Sequence, residues 1–165
     1  MGRSLKNMLN EFRSYWKYFV FQSLLAAVSV YLVLIILNPD EAVIIASLGA
    51  TAFVVFALPE KFTAHPRNVI GGHIVGLACG LLGSGALEIL PIRSDPIENA
   101  IYALAVGLSI FVMVISDTEH PPAAGTALGI ATKGFNVPVI AGVLLFSILF
   151  SLIRWLLRNR LRDLA

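Results

Sequence analysis

In a chain of 165 residues that is 58% hydrophobic, 13% charged and of mean hydropathy +0.84, there is more apolar surface than a soluble domain of this size can hide. The net charge is only +2 and the cations gather toward the two ends, which excludes the basic stripe of a nucleic-acid-binding protein. The single cysteine, Cys79, excludes an intramolecular disulfide and a cysteine-based metal cluster, so the chain is expected to be an all-α membrane protein.

Residues 1 to 17 carry Arg3, Lys6, Arg13 and Lys17 among Leu5, Met8, Leu9, Phe12 and Trp16 at helical spacing, the pattern of an amphipathic segment lying on the membrane surface. Residues 18 to 165 are then one transmembrane domain, with Tyr15, Trp16 and Tyr18 at the headgroup level. The uncharged run Tyr18–Leu37 has span length and ends in Asn38-Pro39-Asp40-Glu41 without a small-x-small cleavage site, so it reads as a retained helix and not as a secretory signal. A second uncharged run, Ala42–Leu58, has 17 residues and sits at the lower limit for crossing a core of about 30 Å. The third, Val69–Leu90, places Gly72, Gly76 and Gly80 on one helix face, which predicts a tight helix contact and a homo-oligomer through the glycine faces. A turn rich in proline and acids leads to a fourth run, about Ala100–Ser116. After Asp117-Thr118-Glu119-His120-Pro121-Pro122 comes Ala123–Thr132, too short for an ordinary span, and the last run is Val137–Leu157.

The expected fold is a small polytopic bundle of four long transmembrane helices and two short elements, half-helices or re-entrant. Cations at both chain ends place both termini in the cytoplasm, so the number of crossings is even. Four crossings leave nine cations inside and three outside, six leave ten and two, and one cation does not separate the alternatives. Gly49-Ala50-Thr51-Ala52 resembles Ala124-Gly125-Thr126-Ala127, and Val69-Ile70-Gly71-Gly72 resembles Val139-Ile140-Ala141-Gly142. Each half then reads as long, short, long, an internal inverted repeat of the kind that builds midplane sites in transporters; chance likeness among small residues is the rival explanation.

The densest chemistry lies at the double proline. Pro121 and Pro122 suit the first turn of a short helix, whose free N–H groups must find partners. Glu119 or His120 can cap them, or the small Ala123, Ala124 and Gly125 can leave room for an anion at the positive helix end, with Thr126 one turn on. Ser47, Gly49 and Thr51 offer a matching wall, against the plainer reading that they cap or pack. Arg67, Asn68 and His73 gather at the start of the third run: His73 should face protein or a water-filled cavity, and Arg67, turned inward, would be a fixed positive charge. Glu119, His120 and Asp117 are the candidates for proton coupling. No cofactor and no metal site is expected, since no histidine pair has ligand spacing, and no catalytic motif is present, so the chain is not read as an enzyme.

Three blocks, His120-Pro121-Pro122 with its small-residue tail, Pro66-Arg67-Asn68-x-x-Gly71-Gly72-His73 and Ser47-Leu48-Gly49-Ala50-Thr51-Ala52, resemble the HPP family of integral membrane proteins. The resemblance covers residues 18 to 157. It implies four transmembrane helices and, since some members are associated with nitrite transport, a transporter or channel for a small monovalent anion, nitrite foremost. A non-transporting membrane scaffold or an intramembrane enzyme are the alternatives. The chain departs from the family pattern at Ala123-Ala124, where many members have two glycines, and at His65, where glutamine is common. With no plastid transit peptide, a multi-pass location in the cytoplasmic membrane of a bacterium or archaeon is expected, with the lipid bilayer and a small inorganic anion as partners.

Overall fold

The computed structural model describes residues 5–91 and 94–164. Arg3 and Arg93, both used in the charge argument, lie outside the described residues. The chain forms six helices: α1 (Leu5–Ile36), α2 (Ala42–Ala57), α3 (Pro66–Ile89), α4 (Asp95–Ile115), α5 (Pro122–Lys133) and α6 (Val137–Leu157). Single 3-10 turns, Pro39–Glu41 and Phe62–Ala64, precede α2 and α3.

The punctuation is chemical. Proline opens α3, α4, α5 and α6 within the first two positions, where its missing N–H has no intrahelical partner to lose. The Asn38 side chain accepts from the Asp40 N–H and that of Asn136 from Val139 N–H, which satisfies free donors at two helix starts. Gly134 closes α5 at φ +81°, a left-handed conformation that suits glycine. In α1, Tyr15 leaves helical geometry (φ −126°, ψ 15°), which kinks the helix where the basic N-terminal stretch meets the apolar run.

Contacts between side chains fix the directions. Ile44 meets Gly129 while Ser47 meets Gly125, so α2 and α5 run antiparallel; Gly72 meets Ala123 and Gly80 meets Ile130, so α3 and α5 run parallel. Gly71 lies against Thr118 and Gly83 against Ala105, which makes α4 antiparallel to α3. Leu37 packs on Gly142, so α6 starts at the end of the bundle where α1 finishes. The six helices thus alternate in direction. Four of them, α1 from Leu9, α3, α4 and α6, are long and apolar enough to cross a membrane, and α2 is a shorter apolar helix. Long, short, long therefore occurs twice, the second time in the opposite sense.

The predicted tight contact forms within the chain. Gly76 faces the Ala123 carbonyl, Gly80 faces the Ala127 carbonyl at 2.7 Å and Gly72 faces the Cβ of His120 at 2.7 Å, measured from where a Cβ would stand. The glycine face expected to join copies is thus covered by α5 of the same chain. Val33, Leu48, Val55, Phe56, Val69, Val143, Phe146 and Phe150 form the dry core around α2 and α6, with Phe56 and Phe150 centroids 5.7 Å apart. Leu24, Val28, Tyr31 and Ile35 on α1 and Leu104 and Phe111 on α4 point outward, the apolar exterior expected of a helical bundle in lipid.

The last residues fold back over the bundle end that carries the α2–α3 connector. Buried Gln22 of α1 donates to the carbonyls of Phe56 and Arg162 and accepts from Arg162 N–H, and Leu164 N–H donates to Ala57 O. Asp163 accepts from Glu60 N–H at 2.9 Å and pairs with Lys61, while Arg154 donates twice to Pro59 O.

Candidate functional site

Five polar side chains meet where α2, α3 and α5 cross: Ser47 and Thr51 on one face of α2, His73 on α3, Thr126 on α5 and His120 just before α5. None is more than 5% exposed. Thr51 Oγ1 stands 2.9 Å from His73 Nε2 and 3.1 Å from His120 Nε2, so a single hydroxyl joins the two rings. His73 Nδ1 lies 2.9 Å from Thr126 Oγ1, which is in turn 2.9 Å from Ser47 Oγ. The outer bonds end on backbone: His120 Nδ1–H donates to Thr63 O at 2.8 Å, Ser47 to Pro122 O at 2.6 Å, and Thr51 reaches Ser47 O at 3.0 Å. The ring centroids are 5.2 Å apart.

These residues differ from the other buried hydroxyls of the spans. Ser84, Ser109, Ser147 and Ser151 each donate to a carbonyl three or four residues back in their own helix, which satisfies them without a neighbour. Ser47 and Thr126 instead bond across helices, and Thr51 does so as well as reaching Ser47 O in its own helix. The segment 116–121 makes this possible by dipping inward: Asp117 adopts φ 54°, a left-handed conformation aspartate tolerates, and His120 arrives beside Gly72, six residues or about 9 Å along α3 from Pro66 at about 1.5 Å per residue.

The structure thus brings Ser47, Thr51, His73, His120 and Thr126 together. It puts the other candidates elsewhere. Gly49 lies two residues from both Ser47 and Thr51, hence on the far side of α2, where it lines an apolar groove of ≈ 430 Å³ with Phe19, Ala26 and Phe53 of the α1 side. Asn68 is buried and donates to Glu119 O at 3.2 Å, which fastens the dipping segment. Arg67 does not turn inward. It pairs with Asp117 at 2.8 Å and donates to Ser116 O at the bundle surface, both side chains more than half exposed, so neither the fixed charge nor the Asp117 proton acceptor stands in the cluster. Arg67→Ala is expected to change folding free energy by less than about 1 kcal/mol, as exposed pairs do, with a melting temperature in detergent near that of the unaltered protein.

The anion cradle of backbone donors at the double proline is not formed. Pro121 and Pro122 have no N–H to offer, Ala123 N–H donates to His120 O and Ala124 N–H to Pro121 O, and Ala123 itself is buried under Gly72 and Gly76. Gly125 serves close packing, since a Cβ there would stand 3.2 Å from Ser47 Cβ. Pro122 contributes its carbonyl and Pro121 is exposed. Glu119 lines an apolar cleft of ≈ 310 Å³ against Ile110, Met113 and Val114 of α4, and its buried Oε2 finds no hydrogen-bond partner among the described residues. One contributor escapes sequence reading, the Thr63 carbonyl, a backbone group with no signal.

A polytopic helical membrane protein with a polar cluster at its centre is what the fold and site define. The family model for the HPP transmembrane region matches residues 6–163, and the chain belongs to the HPP family. Two transmembrane proteins of Dictyostelium discoideum are similar: one is 31% identical over 66% of this chain and 40% of its own length, the other 32% identical over 52% and 26%. The chain therefore spans well under half of either relative. No solved structure matches the chain.

Proposed function

We propose that this protein carries a small monovalent anion across the membrane, nitrite foremost by the family resemblance, at the Ser47, Thr51, His73, His120 and Thr126 cluster. The observation that carries this reading is the cluster itself: five buried polar groups reach across three helices in a membrane protein, where polar side chains are expensive and mark pathways. A bare monovalent anion in hydrocarbon is costly by tens of kcal/mol, and hydroxyl and imidazole donors are the groups that can replace its water. Side chains, not backbone N–H groups, are the donors in this version of the site.

Two features support an arrangement with alternating access. Thr51 and Thr126 occupy matching places in the two short helices and each bonds one nitrogen of His73, as an inverted repeat about that ring would require. Lys61, Arg67 and the arginines 154, 158, 160 and 162 gather at the end where α3 starts and α6 finishes, which favours that end as the cytoplasmic one. A cavity of ≈ 290 Å³ there, walled by His65, Arg154 and Arg158 with Glu60, suits an anion's approach.

The test is flux into liposomes of purified protein, with nitrite, nitrate, formate and chloride compared. Nitrite is expected to enter faster than into empty vesicles; folded protein that moves none of the four ions ends the transport reading.

A further inference from the structure

The cluster has fewer protons than contacts. With both rings neutral, His73, His120, Thr51, Thr126 and Ser47 hold five protons, one each, against seven close contacts: three to the carbonyls of Thr63, Ser47 and Pro122, and four among the side chains themselves. His120 must carry its proton on Nδ1, which faces a carbonyl. Five contacts at most can then hold a hydrogen; in one such arrangement Thr51 donates to His120 Nε2, His73 donates from Nε2 to Thr51, and Thr126 donates to His73 Nδ1. Thr51 against Ser47 O and Ser47 Oγ against Thr126 Oγ1 are left as oxygen facing oxygen without a hydrogen between.

Added protons mend these two contacts one at a time. An imidazolium at His73 donates from both nitrogens, to Thr51 and Thr126, and frees the Thr126 hydroxyl to turn to Ser47. A second proton, on His120, frees the Thr51 hydroxyl for Ser47 O, and all seven contacts then hold a hydrogen. What opposes protonation is the buried charge. Thr51 and Ser47 face the rings from α2, Asn68 lies on α3, Thr126 on α5, and among the described residues no carboxylate hydrogen-bonds either ring: Asp117 is held by Arg67, and Glu119, the nearest acid in sequence, lines the cleft against α4 that His120 also lines without bonding its ring. The missing countercharge is what an entering anion brings.

We propose that His73 and His120 are a proton-binding site and that a proton is taken up with each anion, so that the pair crosses without net charge. The inference rests on the transport reading for its physiological meaning. The proton binds a ring nitrogen lone pair on one side of the membrane and is released from it on the other, with no other bond made or broken. Binding of either ion strengthens binding of the other, as linkage requires.

The experiment has two readouts. In liposomes with an entrapped pH dye, nitrite entry is expected to acidify the lumen about one proton per nitrite beyond empty vesicles; nitrite entry without that excess overturns the proposal. Nitrogen NMR of the histidines in the whole protein is the second, with His65 assigned through His65→Gln. Without anion near neutral pH, His120 is expected as the Nδ1–H tautomer, and nitrite at about pH 6 is expected to protonate both nitrogens of a buried ring. A neutral His120 protonated on Nε2 alone, or buried rings that stay neutral with nitrite down to about pH 5, overturn the proposal even if no flux is found, whereas flux failure with the expected titration removes the transport reading alone. Thr51→Ser, which keeps the bridging hydroxyl, is expected to keep the titration, and Thr51→Val to shift it by at least about tenfold in nitrite concentration.

Discussion

Thr51→Val is expected to destabilise the protein more than any other substitution of similar size and to lower nitrite flux at least about tenfold. Valine fills the same volume, so packing against Ala52 and Val55 neighbours is kept and the loss is polar. The Thr51 hydroxyl is the oxygen shared by His73 Nε2 and His120 Nε2, and without it both nitrogens lie buried with no partner in reach. A buried polar atom left unsatisfied costs about 1–3 kcal/mol, so about 2–4 kcal/mol is expected after partial relaxation. Thr51→Ser should restore most of it. Thermal denaturation in detergent reads the stability and the liposome assay reads the flux; a valine variant as stable as the unaltered protein would mean the rings do not depend on that bridge.

The second large effect is a change of sign within one helix. Gly85→Ala on α3 places a methyl where nothing lies within 4 Å, and alanine's higher helix propensity is expected to stabilise by about 0.5–1 kcal/mol. Gly76→Ala places the same methyl against the Ala123 carbonyl of α5, which as backbone cannot rotate away. Overpacking of this kind costs about 1–3 kcal/mol or more, so the melting temperature should fall although propensity alone says it should rise. Equal behaviour of the two alanine variants would contradict the backbone contact between α3 and α5.

Much of this fold is legible in the sequence because lipid imposes a simple rule: every uncharged run of sufficient length forms a helix. Several boundaries read from charge and proline fall close to those observed, Ala42–Leu58 against Ala42–Ala57 and Val137–Leu157 without change, whereas α1 begins at Leu5 and not at Tyr18, since the basic N-terminal stretch is helical and continues into the apolar run across the kink at Tyr15. The three blocks of polar residues are also legible, and they do converge. Their partners are not, because hydropathy does not record which face of a helix meets which neighbour. Gly49 was grouped with Ser47 and Thr51 by sequence proximity, yet helical geometry turns it to α1. Arg67 was a candidate for an inward charge, but Asp117, fifty residues on, holds it at the surface. The free donors inferred at the double proline are absent since two of the four positions lack an N–H and the chain satisfies the other two through the His120 and Pro121 carbonyls. Those bonds depend on Pro121 itself being helical, at φ −50° and ψ −38°, a local fact that composition does not reveal.

The way α5 touches its two neighbours differs in kind, and that sets what can move. Against α3 it presses the carbonyls of Ala123 and Ala127 into bare glycines, with the Cβ atoms of Thr126 and Ile130 beside them. Against α2 it presents Gly125 and Gly129 to the side chains of Ser47 and Ile44, which can swing. Helices α3 and α5 are therefore expected to stay together as one slab in any transport cycle and α2 to be the member that slides, taking Ser47 and Thr51 with it. A cross-link that locked α2 to the slab would freeze the molecule, while one between α3 and α5 would go unnoticed.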